Sequence, residues 1–437
     1  MTGHANRFTR FGRSRWLLTA ISAVVAIVTI AAISLRLVPA SANSGVYQAP
    51  AFAAKFANES DADAGRLDLS FEQAYDSRAY PATEIPLQAT LDAQTAFNST
   101  VSRGQGNHAN GAWSQIGSTD AKFPGVLTFS GADYTTSGRI TALAIDSTCN
   151  ASSCRLWVAA AGGGVWRTDH ALSGNPVWTF VSGGFATNAI GTLTFANGVL
   201  YAGTGEPNAS GDSEAGLGIY KSSDGGDTWT HLSSTTTVGI YTGDAFANRS
   251  ISTIVVDPSN ANTLWVSDTR GVRGVSSVTG GAISTPPAPR PPFGLYKSTD
   301  GGASFTFVWD GAGTARGVNH VALDPSDNTT VYAAAYGEGV FRSLGGGAFT
   351  NIKLPLSTIN TDRTEFAVAK LASGKTRMYV GDGAQGSPTA RFYRTDDATA
   401  AAPVFTNLTT LQNRNYCTGQ CWYDNSVVSP AGFPDSV

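Results

Sequence analysis

Charge is scarce in this sequence: Asp, Glu, Lys and Arg make up 14% of its 437 residues, against about 25% in an ordinary soluble domain. A surface so poor in charge must be built from uncharged polar groups and turns. Basic residues are scarcer still beyond the N-terminus, since five of the 29 and none of the 32 acids lie before Asn43. The remainder carries 24 basic against 32 acidic residues, a net charge near −8. Nucleic acid and anionic membrane surfaces are bound through basic patches, so this balance argues against both as partners. Histidine is rare, with five copies, and no Ser-His-Asp arrangement can be assembled from them. His320 falls on an inner strand and reads as packed and hydrogen bonded.

Cysteine is limited to two close pairs, Cys149 with Cys154 and Cys417 with Cys421. In an oxidising compartment each pair closes locally as a loop staple. A zinc site made of all four would need the pairs to meet, and the repeat register below sets them on opposite faces. Long apolar runs are absent but for one, the 20 residues from Trp16 to Leu35. It follows Arg7, Arg10, Arg13 and Arg15 and precedes Ala40-Ser41-Ala42, the three parts of an export signal. The run exceeds the roughly 7 to 15 residues of a signal core and could cross about 30 Å of hydrocarbon. Cleavage after Ala42 is the expectation, with an uncleaved anchor, and so a membrane partner through this segment alone, as the alternative. Either way the chain is expected to be secreted or held at the cell surface.

Glycine is abundant, with 49 copies. Residues 43–111 are rich in Ala, Asp, Ser and Gln and read as a tether, with helical periodicity only in Phe71 to Ala79 and Leu87 to Phe97. From 112 to 437 the pattern turns to short β-branched and aromatic runs between Gly, Asn, Asp and Pro, the mark of many short antiparallel strands. An inner run recurs at Arg139 to Asp146, Ser250 to Asp257 and Gly317 to Asp324. A second is centred on Trp157, Tyr201, Trp265, Tyr332 and Tyr379. A third starts at Gly164, Gly218, Gly294, Gly339 and Arg391, and a fourth at Trp178, Trp229, Phe305, Phe349 and Phe405. Four strands repeated five times predict an all-β fold, a β-propeller of four-stranded antiparallel blades.

Between the third and fourth runs stand Ser222-x-Asp224-x-Gly226-x-Thr228-Trp229 and Ser298-x-Asp300-x-Gly302-x-Ser304-Phe305. A carboxylate can accept backbone N–H bonds across a tight turn, Gly supplies positive φ, and the aromatic ring packs between blades. These aspartates are therefore read as turn makers and not as catalysts. Both copies match the Asp-box (BNR) motif, and the region resembles the Asp-box propellers: sialidases, sortilin-type receptors, xyloglucanases and photosystem II assembly-factor propellers. Gly138-Arg139-Ile140-Thr141 and Tyr201-Ala-Gly-Thr-Gly-Glu206 are most similar to a bacterial sortilin-like branch. The resemblance implies a ligand face opposite the Asp boxes.

Alternation of strand direction puts the long connections 203–217, 268–293 and 232–248 on that face. Glu206, Asp212 and Glu214 share the first of them. They suit a solvated acidic loop, a calcium site or the carboxyl pair of a glycosidase. Arg139, Arg249, Arg316 and Arg363 stand at or beside entries to inner strands, where a ring of guanidinium groups could grip a carboxylate or sulfate. Sialidases use three Arg in this way, but here Arg139-Ile140 is followed by Thr141 and not by the Pro of their motif. No cofactor is required by any of these features. The function expected is recognition of an extracellular glycan or protein segment. A glycoside hydrolase using Glu206 and Asp212, or a passive module of a larger surface protein, are the alternatives.

The two ends carry one further expectation. Ala112 to Ile116 resembles a fourth strand without the three that should precede it, and Asn425 to Pro430 resembles a first strand with none to follow. Five blades plus the start of a sixth, cut short and leaving a free sheet edge, are expected.

Overall fold

The computed structural model describes residues 122–127, 133–135, 138–208, 213–271 and 291–437, apart from 387–389, 412, 414, 415 and 418, together with five helical residues between 92 and 99. The chain divides into units 1–58 and 59–437, and every described residue belongs to the second. The export signal, most of the tether, the Trp113 segment and Asp212 lie outside the described residues.

Five four-stranded antiparallel sheets follow one another along the chain, each strand pairing only with its neighbours in sequence. Blade 1 holds Ile140–Ile145, Leu156–Ala160, Gly164–Thr168 and Thr179–Phe180. Blade 2 holds Ile190–Ala196, Val199–Thr204, Ile219–Ser222 and Thr230–His231. Blade 3 holds Arg249–Asp257, Asn260–Arg270, Leu295–Ser298 and Thr306–Trp309. Blade 4 holds Val318–Leu323, Val331–Ala335, Gly339–Ser343 and Thr350–Lys353, and blade 5 Arg363–Lys370, Thr376–Gly383, Arg391–Thr395 and Thr406–Asn407. First strands of successive blades touch, which wraps them around a channel as in a propeller. The first strands of blades 2 and 5 lack the closing Asp, so the recurring inner run did not include them, although Arg363 was placed at an inner-strand entry. Asn425 to Pro430 runs beside blade 5 without a strand ladder.

The core lies between blades. The second-strand aromatics Trp157, Tyr201, Trp265, Tyr332 and Tyr379 are all buried, and each apolar cluster draws on two adjacent blades. A fully buried aliphatic such as Leu200 contributes roughly 1.5–3 kcal/mol to such a layer. Aromatic pairs complete it: Phe185, ahead of blade 2, sits 3.8 Å from Tyr220 and 5.0 Å from Trp229. Phe246 meets Tyr296 and Phe305 in the same way, and Trp309 meets Phe341 and Phe349. The corresponding face of blade 1 stays open, with Leu143 63% and Ile145 55% exposed.

Four first strands carry a bulge at one repeated position, so that Thr141, Gly191, Ser252 and Asn319 drop out of the ladder. The extra residue turns toward the channel and reaches the next blade. Thr141 donates its hydroxyl to Ile190 O at 2.6 Å, Ser252 to Val318 O at 2.7 Å, and the Asn319 amide donates to Thr364 O at 2.7 Å. Gly191 has no side chain to offer, and a Cβ there would stand 2.3 Å from Ile251 O.

At the other end, Asp224 accepts from Thr228 N at 2.9 Å and from the hydroxyls of Ser222 and Thr228. Asp300 repeats these bonds with Ser304 and Ser298, and Gly226 and Gly302 share a φ of 96°. Register places these hairpins away from the long connections: Leu200 faces Ser222 and Gly203 faces Ile219, so Glu206 and Asp224 lie at opposite ends of blade 2. The connection 232–248 departs from expectation. Its Thr235 accepts from Phe305 N and donates to Ala303 O, while the Thr236 hydroxyl donates to Phe305 O. Consecutive threonines extend this segment along the edge beside the Asp300 hairpin before it folds back through Tyr241–Asp244. Both expected disulfides, Cys149–Cys154 and Cys417–Cys421, are formed. Among the described residues no helix is long and apolar enough to cross a membrane.

Candidate functional site at the channel mouth

A cavity of about 550 Å³ opens where the first strands begin. Its floor is the bulge ring, through Thr141, Gly191 and Ser252. Its walls come from Arg139, from Pro207 and Asn208 in the connection after the second strand of blade 2, from Arg363, and from Tyr423 to Asn425. The last segment is held by its own chemistry. Cys417–Cys421 closes the preceding turn, and Cys421 packs so near Gly383 that a Cβ on that glycine would stand 2.6 Å from it. Trp422 is buried beside the Arg316 guanidinium, 6.0 Å from its ring. Asn425 donates its amide to Arg363 O and Gly381 O, both at 3.1 Å.

Two of the four expected arginines line this cavity, and each is already committed. Arg139 pairs with the Glu206 carboxylate and lies 4.6 Å over the Tyr423 ring. Arg363 donates to Glu365 at 2.8 Å, and to Asn208 Oδ1 and Tyr423 O at 2.9 Å each. Glu365 also accepts from Asn319 at 3.1 Å and from His320 Nδ1 at 2.8 Å. Burial pushes the Glu365 carboxyl up, but the charges and hydrogen bonds of Arg363 and His320 outweigh it and hold the group below the ordinary glutamate value. Burial likewise pulls Arg363 down, yet Tyr336 and Glu365 keep it above the usual arginine value.

The other two arginines are placed elsewhere. Arg249 is buried and donates to Pro291 O at 3.0 Å; burial lowers its pKa against the pull of Asp268. Arg316 is fully buried beside Trp422 and does not border the open cavity. Among the acidic candidates, Glu206 is buried in its ion pair. Glu214 is half-buried, and its carbonyl accepts from Glu206 N at 2.8 Å. Asp212 is outside the described residues, and among those described no group of three or more His, Cys, Asp or Glu is arranged to hold a metal. Asn208, Asn319, Glu365 and Tyr423 were not singled out by sequence. Glu365 stands two residues after Arg363 and Tyr423 two after Cys421, but nothing in either spacing announces a site.

A second acidic pair lies behind the mouth in blade 5. Asp362 and Asp382 are both fully buried, with Lys353 Nζ 3.6 Å from Asp382. Burial, and then the neighbouring Asp382 carboxyl, push Asp362 well above the usual carboxylate range.

No family model matches this chain, and no curated protein matches it. Among solved structures, an ancestral GH74 enzyme is similar at 19% identity and a TM-score of 0.43, covering 64% of this chain and 32% of its own. The extracellular domain of a putative hybrid two component system from B. thetaiotaomicron follows at 10% identity and a TM-score of 0.34, covering 64% and 34%. A mutant of AofleA from Arthrobotrys oligospora gives 11% and 0.32, covering 62% and 72%. The chain thus spans about a third of the length of the first two. The likeness is one of strand arrangement alone.

Proposed function

We propose that the chain is an exported recognition module whose channel mouth binds an uncharged glycan segment. One observation carries this reading: both guanidinium groups bordering the cavity are matched by a carboxylate, Arg139 by Glu206 and Arg363 by Glu365. A pocket whose two cations are both paired, with Asp424 as a further acid on its rim, amide and hydroxyl groups and one aromatic ring, suits a polyhydroxyl ligand better than a carboxylate or sulfate. The volume falls within the usual range for small-ligand sites, about 300–1,000 Å³. The two disulfides accord with export.

The test is titration of the full chain with neutral β-glucan oligosaccharides and with sialylated ones, followed by Asn208→Ala and Tyr423→Ala. Neutral binding is expected, weakened about tenfold by each variant, or about 1.4 kcal/mol. A preference for the sialylated ligand overturns the reading. Cleavage products that disappear in Glu206→Gln would replace it with the glycoside hydrolase alternative.

A further inference from the structure

We infer that Glu365 sets the charge of ligand the channel mouth accepts by keeping Arg363 neutralised, and that protonation of His320 relieves this hold. The site then turns toward anionic ligands as the medium acidifies. The inference builds on the location proposed above, but its test does not depend on any glycan being bound.

One buried carboxylate is shared among three groups. Glu365 takes Arg363 and Asn319 on one oxygen and His320 on the other. A carboxylate only accepts, so His320 Nδ1 carries the hydrogen, and the neutral ring keeps a bare Nε2. The His320 side chain is 27% exposed, so the ring is not sealed from solvent. With the ring neutral, Arg363 and Glu365 cancel. Adding one proton leaves a net positive charge on the trio and a second ring N–H donor. Partly buried charges are little screened, so that change is felt at the cavity.

Asp424 borders the cavity as well, so the proton raises the charge of the mouth by one step from a net negative start. The charges acting on Glu365 are Arg363 and His320, and those acting on Arg363 are Tyr336, Glu365 and Asp424. His320 packs on its other side against the Phe366 ring at 4.6 Å, which carries no charge. Across the mouth, Arg139 and Glu206 are already paired. Were Glu365 merely a brace between blades 4 and 5, its replacement by an uncharged isostere would change stability and leave ligand charge preference alone.

The probe is inorganic sulfate, titrated calorimetrically into the full chain at about pH 5.5 and about pH 8, either side of the range in which imidazoles titrate. Wild type is expected to bind sulfate about tenfold more tightly at the lower pH. Glu365→Gln should bind it at both, and His320→Gln should lose the pH dependence and stay weak at both. A folded Glu365→Gln that gains no sulfate affinity at pH 8 overturns the inference, as does a pH dependence that survives His320→Gln. If Glu365→Gln does not fold, the His320→Gln result decides alone. Failure of wild type to bind neutral glycan would sink the proposed function and leave these sulfate outcomes interpretable.

Discussion

The Asn319 side-chain amide, bulged out of blade 4, donates to Thr364 O in blade 5 at 2.7 Å and to Glu365 at 3.1 Å. Thr141 and Ser252 make the matching reach from blades 1 and 3. These bonds join successive inner strands where backbone ladders do not run, and Thr141 and Ser252 also floor the cavity. The bulge therefore does two jobs, tying blades together and shaping the mouth.

Asn319→Ala should cost about 1–3 kcal/mol in chemical denaturation, because it strips a buried carbonyl and a buried carboxylate of a partner at once. Thr141→Val should cost less, since Thr141 is itself half-buried and only one donor, its hydroxyl to Ile190 O, is lost there. Equal and negligible losses in both variants would show that the ring carries no stability.

Gly191 takes the same position with no side chain, and its neighbours leave no room for one. Gly191→Ala would set a Cβ 2.3 Å from Ile251 O and 2.4 Å from Gly205 O, so a loss of about 3 kcal/mol or failure to fold is expected. Gly198, in the turn of the same blade, has a φ of 77° but open space around it. Gly198→Ala should cost only about 1 kcal/mol. A ranking in the opposite order by thermal melting would contradict the packing described here.

Much of this architecture was legible in the residues. The second-strand aromatics, the third-strand glycines and the Asp224 and Asp300 hairpins follow local rules of burial, turn geometry and hydrogen bonding, and they fell where the repeat put them. The first strands of blades 2 and 5 stood outside the recurring inner run, because Ile190–Ala196 and Arg363–Lys370 end without its closing Asp, though Arg363 was placed at such an entry. The site was harder to read. Arg139 and Arg363 could be placed near the mouth from register, but their partners could not: Arg139 meets Glu206 across 67 residues, and Arg363 meets Asn208 across 155. The curvature of the blades around the channel brings such pairs together, and no spacing along the chain records them.

The acid limb of stability should include Asp300. Hydrogen bonds from Ser304 lower its pKa from 3.8 to about 2. A depressed carboxylate adds stability above its unfolded value and loses it as pH falls through the folded one, here between about 4 and 2. The group is near the surface, so the contribution is under about 1 kcal/mol after screening. Asp300→Asn should flatten that part of the pH profile and leave glycan binding unchanged. A change in binding would tie the hairpin face to the ligand.

Asp362 acts with the opposite sign. Its folded pKa is raised, so its contribution is fully present below the unfolded value and declines as pH rises toward the folded one. Wild type should lose stability from neutral to alkaline pH, and Asp362→Asn should lose less. Denaturation midpoints followed from about pH 6 to about pH 9 check this; parallel profiles for the two proteins would mean that Asp382 and Lys353 already accommodate the charge.

Amide hydrogen exchange of the full chain with and without a neutral β-glucan oligosaccharide tests the central claim most directly. The account predicts slower exchange at 139–141, 206–208 and 422–425, with no change at 222–229 or 298–305. Protection confined to the hairpin segments, with the channel mouth unaltered, would contradict it.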